Sequence, residues 1–292
     1  MSGTHQQGLV KRRTLTEAEV AEIGQLIIVC DDYEGLHMRL GLDELRKRSG
    51  DEARDLLYYE DGALVGYLAI DGWGKERELT GMVRPGYRRR GIFSQLFAAA
   101  KEEYQRLGVR KLILVCEQSS ASGQAFVKTT GAQREYAEHE MVLGTFKERR
   151  IFHEGLQMRQ ANSGDLDAIA SILATDSGNV EAEKQWVGKL FDDPSRRFFY
   201  LATLHGKPIG CLRLDDMGDQ VGMYAFEIRM GYRGLGYGRQ MLEEAIRTTR
   251  AETQKRIMLD VETDNTNAIG LYRSCGFEVK TTYDYYVLDI SS

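Results

Sequence analysis

The chain has 292 residues, of which 42% are hydrophobic and 28% charged, the balance of a soluble protein long enough for two ordinary domains. A net charge of −5 and a pI near 5.7 argue against a broad nucleic-acid footprint. No apolar run approaches the ~20 residues needed to cross a bilayer, and MSGTHQQGLVKRR lacks the apolar core of a secretory signal, so a cytoplasmic protein with neither a membrane nor a nucleic-acid partner is expected.

In chain order, the pattern predicts a strand at Leu9–Arg13, a cap at Thr16 and a helix through Ile27. Further along, VRPGYRRRGI (83–92) returns as IRMGYRGLGY (228–237), a shift of 145 that also places Gln95 on Gln240, Glu117 on Glu262 and Gly131 on Gly276. Upstream, DGALVGYLAI (61–70) returns as HGKPIGCLRL (205–214) at a shift of 144. An ordered series of matches over strands and helices means one domain in two copies, residues 1–146 and 155–292. The polar stretch 144–156 is the seam.

The second copy opens with a strand at Leu156–Arg159, then Asn162 or Ser163 as the cap of a helix over Leu166–Leu173. FFYLAT and PIGCLRLD around HGK read as a hairpin, and VGMYAFEIRM (221–230) as a longer strand. Helical spacing of Tyr237, Met241, Leu242, Ala245 and Ile246 predicts a helix from Gly236 to about Thr253. RIMLDVE (256–262) is a strand, Ala268–Cys275 a short helix, and Phe277–Leu288 a final pair of strands. This order implies an α/β domain with a mixed sheet. Cys30, Cys116, Cys211 and Cys275 are scattered and read as buried reduced thiols. The five histidines form no metal-binding pattern, so no metal is expected.

Arg233-Gly234-Leu235-Gly236-Tyr237-Gly238 joins a strand to a helix. Glycines there permit positive φ and close approach of a ligand, and free N–H groups with the helix dipole favour an anion such as a pyrophosphate. Arg233 and Arg239 could add charge-assisted bonds. A plain flexible helix start would look the same. A Rossmann turn would need GxGxxG, whereas the spacing here is GxGxG. The loop resembles R/Q-x-x-G-x-G/A of the GNAT family of N-acetyltransferases. Asn265, Ala268, Leu271, Tyr272, Gly276 and Phe277, beginning 27 residues after Gly238, match that family's second signature, N-x-x-A-x-x-L-Y-x-x-x-G-F.

The resemblance implies two tandem GNAT domains, each a mixed, mostly antiparallel sheet flanked by helices, with a splayed strand pair that holds acyl-CoA. It implies acetyl-CoA as co-substrate and an amine acceptor, with direct attack in a ternary complex. It places pantetheine and the acetyl oxygen on the backbone of Phe226, Glu227 and Ile228. The pyrophosphate falls on the amides of Gly234, Leu235, Gly236, Tyr237, Gly238 and Arg239, with Arg233 alongside. Asn265 would bond the pantetheine arm, and Tyr272 would serve as general acid near the sulfur. Asp260, Glu227 and Glu262 are the candidate bases, Asp260 matching the catalytic glutamate of ribosomal-protein N-terminal acetyltransferases.

The first copy departs from this pattern. Its loop, Arg88-Arg-Arg-Gly91-Ile-Phe93, has Phe where the family usually has Gly or Ala, at the closest approach of backbone and phosphates, which counts against CoA binding there without excluding it. Ser120, Val127 and Val115 stand at the positions of Asn265, Tyr272 and Asp260. The first copy is therefore expected to fold without transferring acetyl groups and to pair within the chain with its twin. A CoA-binding sensor or scaffold without turnover is the rival reading, and a mycothiol-synthase-like acetyltransferase is a subordinate one, by resemblance of the tandem layout. Trp186, Phe191 and TTYDYY (281–286) are candidates to line the acceptor pocket.

Overall fold

The computed structural model describes residues 6–48, 50–72, 74–149, 153–191 and 197–291. They fall into two compact units, Met1–Glu138 with Thr281–Ser292, and His139–Lys280. The termini 1–5 and residues 150–152 of the seam lie outside the described residues.

The first unit contains β1 (Gly8–Arg12), α1 (Glu17–Glu34), α2 (Leu42–Lys47), β2 (Asp55–Glu60), β3 (Ala63–Asp71), β4 (Glu76–Val83), α3 (Ile92–Arg106), β5 (Lys111–Glu117) and α4 (Ala121–Thr130). It ends in the first half of β6 (Gln133–Leu143). Thr16 caps α1 in a reciprocal box with Glu19, as the sequence predicts, but the helix runs past Ile27 to a glycine stop at Gly35 with φ 68. The second unit takes the rest of β6, then β7 (Leu156–Gln160), α5 (Leu166–Ser177), α6 (Val180–Phe191), β8 (Arg197–Leu204), β9 (Lys207–Asp216), β10 (Gln220–Ile228), α7 (Tyr237–Glu252), β11 (Arg256–Glu262), α8 (Thr266–Cys275) and the start of β12 (Phe277–Asp289).

Strand order is β1-β2-β3-β4-β5-β12-β6 in the first unit and β12-β6-β11-β10-β9-β8-β7 in the second. Each is a mixed sheet: β4 runs parallel to β5, and β10 parallel to β11, among antiparallel neighbours. The expected final pair of strands at 277–288 is instead the single strand β12. No glycine, proline or asparagine interrupts 277–289, so nothing turns the chain there. From Tyr283 to Asp289 this strand pairs antiparallel with β5 of the first unit. The TTYDYY segment accordingly belongs to the first unit, where Tyr283 and Tyr285 pack with Ile113 and Tyr286 joins its main core. Trp186 and Phe191 do lie in the second unit, packed on Phe199 in a core cluster with Ile169, Ile172 and Val187.

The two repeat shifts have a structural cause. The β3–β4 ladder runs unbroken from Gly66↔Val83 to Asp71↔Glu78. Between β9 and β10 the register slips by one between Tyr224 and Glu227, and Ala225 sits there with φ 47. Before the slip Leu79 corresponds to Met223, and after it Val83 corresponds to Ile228. The extra residue that changes the shift from 144 to 145 is thus a β-bulge, present in the second unit and lacking in β4.

Candidate acyl-transfer site

The bulge lies where two parallel strands part. The β10–β11 ladder covers Gln220–Met223 against Arg256–Leu259, after which β10 bends toward Phe226–Ile228 and β11 continues to Asp260–Glu262. A bulge kinks its strand and strengthens the local twist, so it re-aims Phe226–Ile228 beyond the end of the parallel ladder and leaves backbone groups for a ligand.

A single turn of 3-10 helix, Met230–Tyr232, leads from β10 into the glycine loop. Gly234 and Gly236 take φ 75 and 90, and Gly236 is the N-cap of α7 with no side chain to bond the first-turn amides. Those amides therefore remain available to an anion. Leu235 is exposed. Arg233 stays at the mouth of the loop, with Nε donating to the Ile228 carbonyl at 2.8 Å and Nη2 to Glu227 Oε1 at 2.6 Å. Arg239 behaves differently from Arg233. Its guanidinium is buried against Glu243 at 3.1 Å and Ser274, tying α7 to α8, so it contributes its backbone rather than its charge to the loop.

Asn265 is the N-cap of α8, its Oδ1 accepting from the Ala268 amide at 3.1 Å, which leaves the amide NH₂ to donate. Tyr272 is buried on the inner face of α8 between Phe226 and Phe277, with ring centroids 6.3 and 6.0 Å away. Burial, then the negative charge of Glu227, push its phenol well above the usual tyrosine range. The phenol therefore stays protonated at any physiological pH. Glu227 Oε1 also accepts from the Ile228 amide at 2.9 Å. Asp260 is half-buried on β11, and Glu262 is exposed at the end of that strand. Phe226, Glu227 and Tyr272 thus form one cluster, with Asp260 and Glu262 on the facing strand.

The seam also reaches this site, which no sequence pattern announced. It runs down α7 from its C-terminal end: the Gly144 carbonyl accepts from Arg250, Glu148 pairs with Arg247, the Arg149 amide donates to Glu243, and the His153 amide donates to Gln240. Steps of three and four residues along α7 keep these partners on one helical face, which is why the seam is polar. It brings the His153 ring to Tyr237, with centroids 4.6 Å apart.

These features match a known family along most of the chain. The model of the acetyltransferase (GNAT) family fits residues 26–132 and again 166–277. The chain belongs to that family. A mycothiol acetyltransferase from Geodermatophilus obscurus is 29% identical over 295 residues, covering 90% of this chain and 92% of that protein. In fold, a GCN5-related N-acetyltransferase from Sphaerobacter thermophilus superimposes with a TM-score of 0.82 at 20% identity, over 97% of this chain and 96% of that one. A tandem GNAT protein from the clavulanic acid biosynthesis pathway gives 0.72 at 15% identity, over 97% and 98%. This GNAT protein is an acetyltransferase with a tandem pair of family domains. Among the described residues no helix is long and apolar enough to cross a membrane, and no group of three or more His, Cys, Asp or Glu could hold a metal ion.

In the first GNAT unit β4 and β5 also part, after Leu79↔Leu114. A cavity of about 410 Å³ opens there, lined by Cys30, Met82, Arg88, Phe93, Glu117 and Val127 among others. Phe93 is part of the wall of this cavity. Its ring lies over Gly81, where a Cβ would come within 2.8 Å of it, and edge-on to Phe126 at 4.6 Å. In the second unit the matching pair is reversed, Phe226 on the strand and Gly238 on the helix, so ring and hydrogen have changed sides and the wall is kept. Ser120 caps α4 through the Gly123 amide at 3.1 Å, the task that Asn265 performs for α8. Glu117 is tied down by the His37 amide at 2.7 Å, Thr281 at 2.5 Å and Ser119 at 3.1 Å. Burial pushes the Cys30 and Cys116 thiols up to about 11 and about 12, so neither is a thiolate nucleophile at neutral pH.

Proposed function

We propose that the second unit transfers an acetyl group from acetyl-CoA to an amine by direct attack within a ternary complex, in the cytoplasm, and that the first unit performs no transfer. The observation that carries this reading is the bulge at Ala225 beside the Tyr272–Glu227 pair, because the first unit lacks all three features. A pyrophosphate fits the side-chain-free cap at Gly236, and the arm of the coenzyme fits the gap between β10 and β11.

The chemistry requires a base. An alkylamine with pKa ~10 is neutral in only about one molecule in a thousand at pH 7, and positioned proton removal is typically worth 10²–10⁴-fold. Of Asp260, Glu227 and Glu262, we assign the base to Glu227, since its charge is the one felt by Tyr272. Arg233 and the Ile228 amide hold its carboxylate next to the strand ends where the thioester would lie. Tyr272 protonates the departing sulfur, a modest task because a thiolate is already a fair leaving group.

Measuring thiol release from acetyl-CoA over a panel of amines tests this. Glu227→Gln should lower kcat by about 10²-fold or more, and Tyr272→Phe substantially, each with acetyl-CoA affinity nearly intact. Full turnover in Glu227→Gln moves the base to Asp260 or Glu262, and unchanged turnover in Tyr272→Phe removes the acid assignment. Tight acetyl-CoA binding with no release for any amine would favour the non-catalytic sensor. The mycothiol acetyltransferases among the relatives make the acceptor of that reaction the first amine to include.

A further inference from the structure

We infer that the cavity of the first unit is a binding site for an unbranched acyl chain longer than acetyl, carried as a fatty carboxylate or as a CoA thioester; this does not depend on the acetyl-transfer reading of the second unit. The cavity passes between β4 and β5 rather than lying on the sheet. Beyond Leu79↔Leu114 the two strands no longer pair, and the wall takes residues from both faces of the sheet. Leu114, Cys116 and Val127 belong to the core against α3 and α4, Met82 to the core against α1, and Val115 to the cluster around Tyr283. A slot of that form admits a thin, extended molecule. Its volume of about 410 Å³ falls within the roughly 300–1,000 Å³ of small-molecule pockets, whereas close packing leaves protein interiors few voids larger than a water molecule.

The chemistry of the wall selects the chain. At the shift of 145, Met82, Val115 and Val127 stand where the second unit has Glu227, Asp260 and Tyr272, so three polar positions have become apolar. Three polar members of the wall are engaged elsewhere: Arg88 with Glu34 at 2.9 Å, Glu117 with the His37 amide at 2.7 Å, and Ser120 with the Gly123 amide at 3.1 Å. An occupant there is held by apolar contact rather than by hydrogen bonds. Arg89 is an exposed member of the same wall. It places a positive charge at the opening, which favours a chain with an anionic end.

Calorimetric titration of the full chain with butanoate, hexanoate and octanoate, and with the CoA thioesters of the same acids, tests this. Each added methylene should tighten binding about fourfold. A gain among the carboxylates shows that the free acid suffices, and a gain confined to the thioesters shows that CoA carries the chain in. In wild-type protein with the tightest ligand, hydrogen exchange should slow across Glu76–Val83 and Lys111–Glu117. Val115→Phe, which fills the slot, should remove the dependence on chain length. Affinity that ignores chain length in both series, or slowed exchange confined to Gln220–Ile228 and Arg256–Glu262 of the second unit, overturns the assignment; both are read on wild-type protein, so neither depends on how the variant folds. A folded Val115→Phe that keeps the full chain-length gain overturns it as well.

Discussion

Gly234 and Arg89 hold the same place in the two loops and the same left-handed backbone, φ 75 and 66. For a residue with a Cβ that conformation costs on the order of 1 kcal/mol. Arg89→Gly should therefore stabilise the first unit by about 1 kcal/mol, measured by urea denaturation; no gain would mean that the Arg89 side chain makes compensating contacts. Gly276 shows the opposite case. It is the stop of α8 at φ 104, and a Cβ would lie 2.0 Å from the Thr145 carbonyl. Gly276→Ala should cost roughly 2 kcal/mol or more of the second unit's stability, and a loss below half of that would show that the seam yields. The candidate tyrosine, asparagine and loop glycines were legible in the sequence because their spacing is fixed by local helix and loop geometry. His153 was not, since its place depends on a seam laid along α7 through contacts 87 to 106 residues apart in sequence.

At the scale of the element, the bulge in β10 separates the two copies most sharply. Its trace was in the sequence as one residue's difference between two repeat shifts, but a count alone could not say whether the extra residue lay in a turn or a strand. Register decides it, and β4 demonstrates that the same ladder closes without it. Deleting Ala225 should give β10 the regular pairing of β4, leaving the unit folded and abolishing thiol release from acetyl-CoA. A deletion variant that retains turnover would show that the bulge does not position the acetyl group. The helices were easier to read. Amphipathic spacing located α7 within one residue at each end, with Gly236 as its cap, because period and capping are properties of neighbouring residues.

For the whole molecule, the last strand decides the outcome of truncation. Reading the repeat alone, loss of the final residues should damage the second copy. In the structure, Thr281–Ser292 belongs to the first unit, where β12 lies between β5 and β6. A chain ending at Lys280 should lose hydrogen-exchange protection across Lys111–Glu117 and the first half of β6, while α7 and β11 of the second unit stay protected. Protection lost in the second unit alone would contradict that division. Each unit carries its own clusters of buried residues, around Leu68, Leu96 and Leu112 in the first and Leu242, Ile246 and Leu259 in the second. The sequence by itself determined that one α/β domain occurs twice and which copy kept the loop, the asparagine and the tyrosine, because these are patterns within a few turns of chain. Only the tertiary structure decided where the last strand pairs and what lies beside the phosphate loop. A strand's alternation says which face is buried and not which neighbour it joins, and that choice is made between residues more than a hundred and sixty apart.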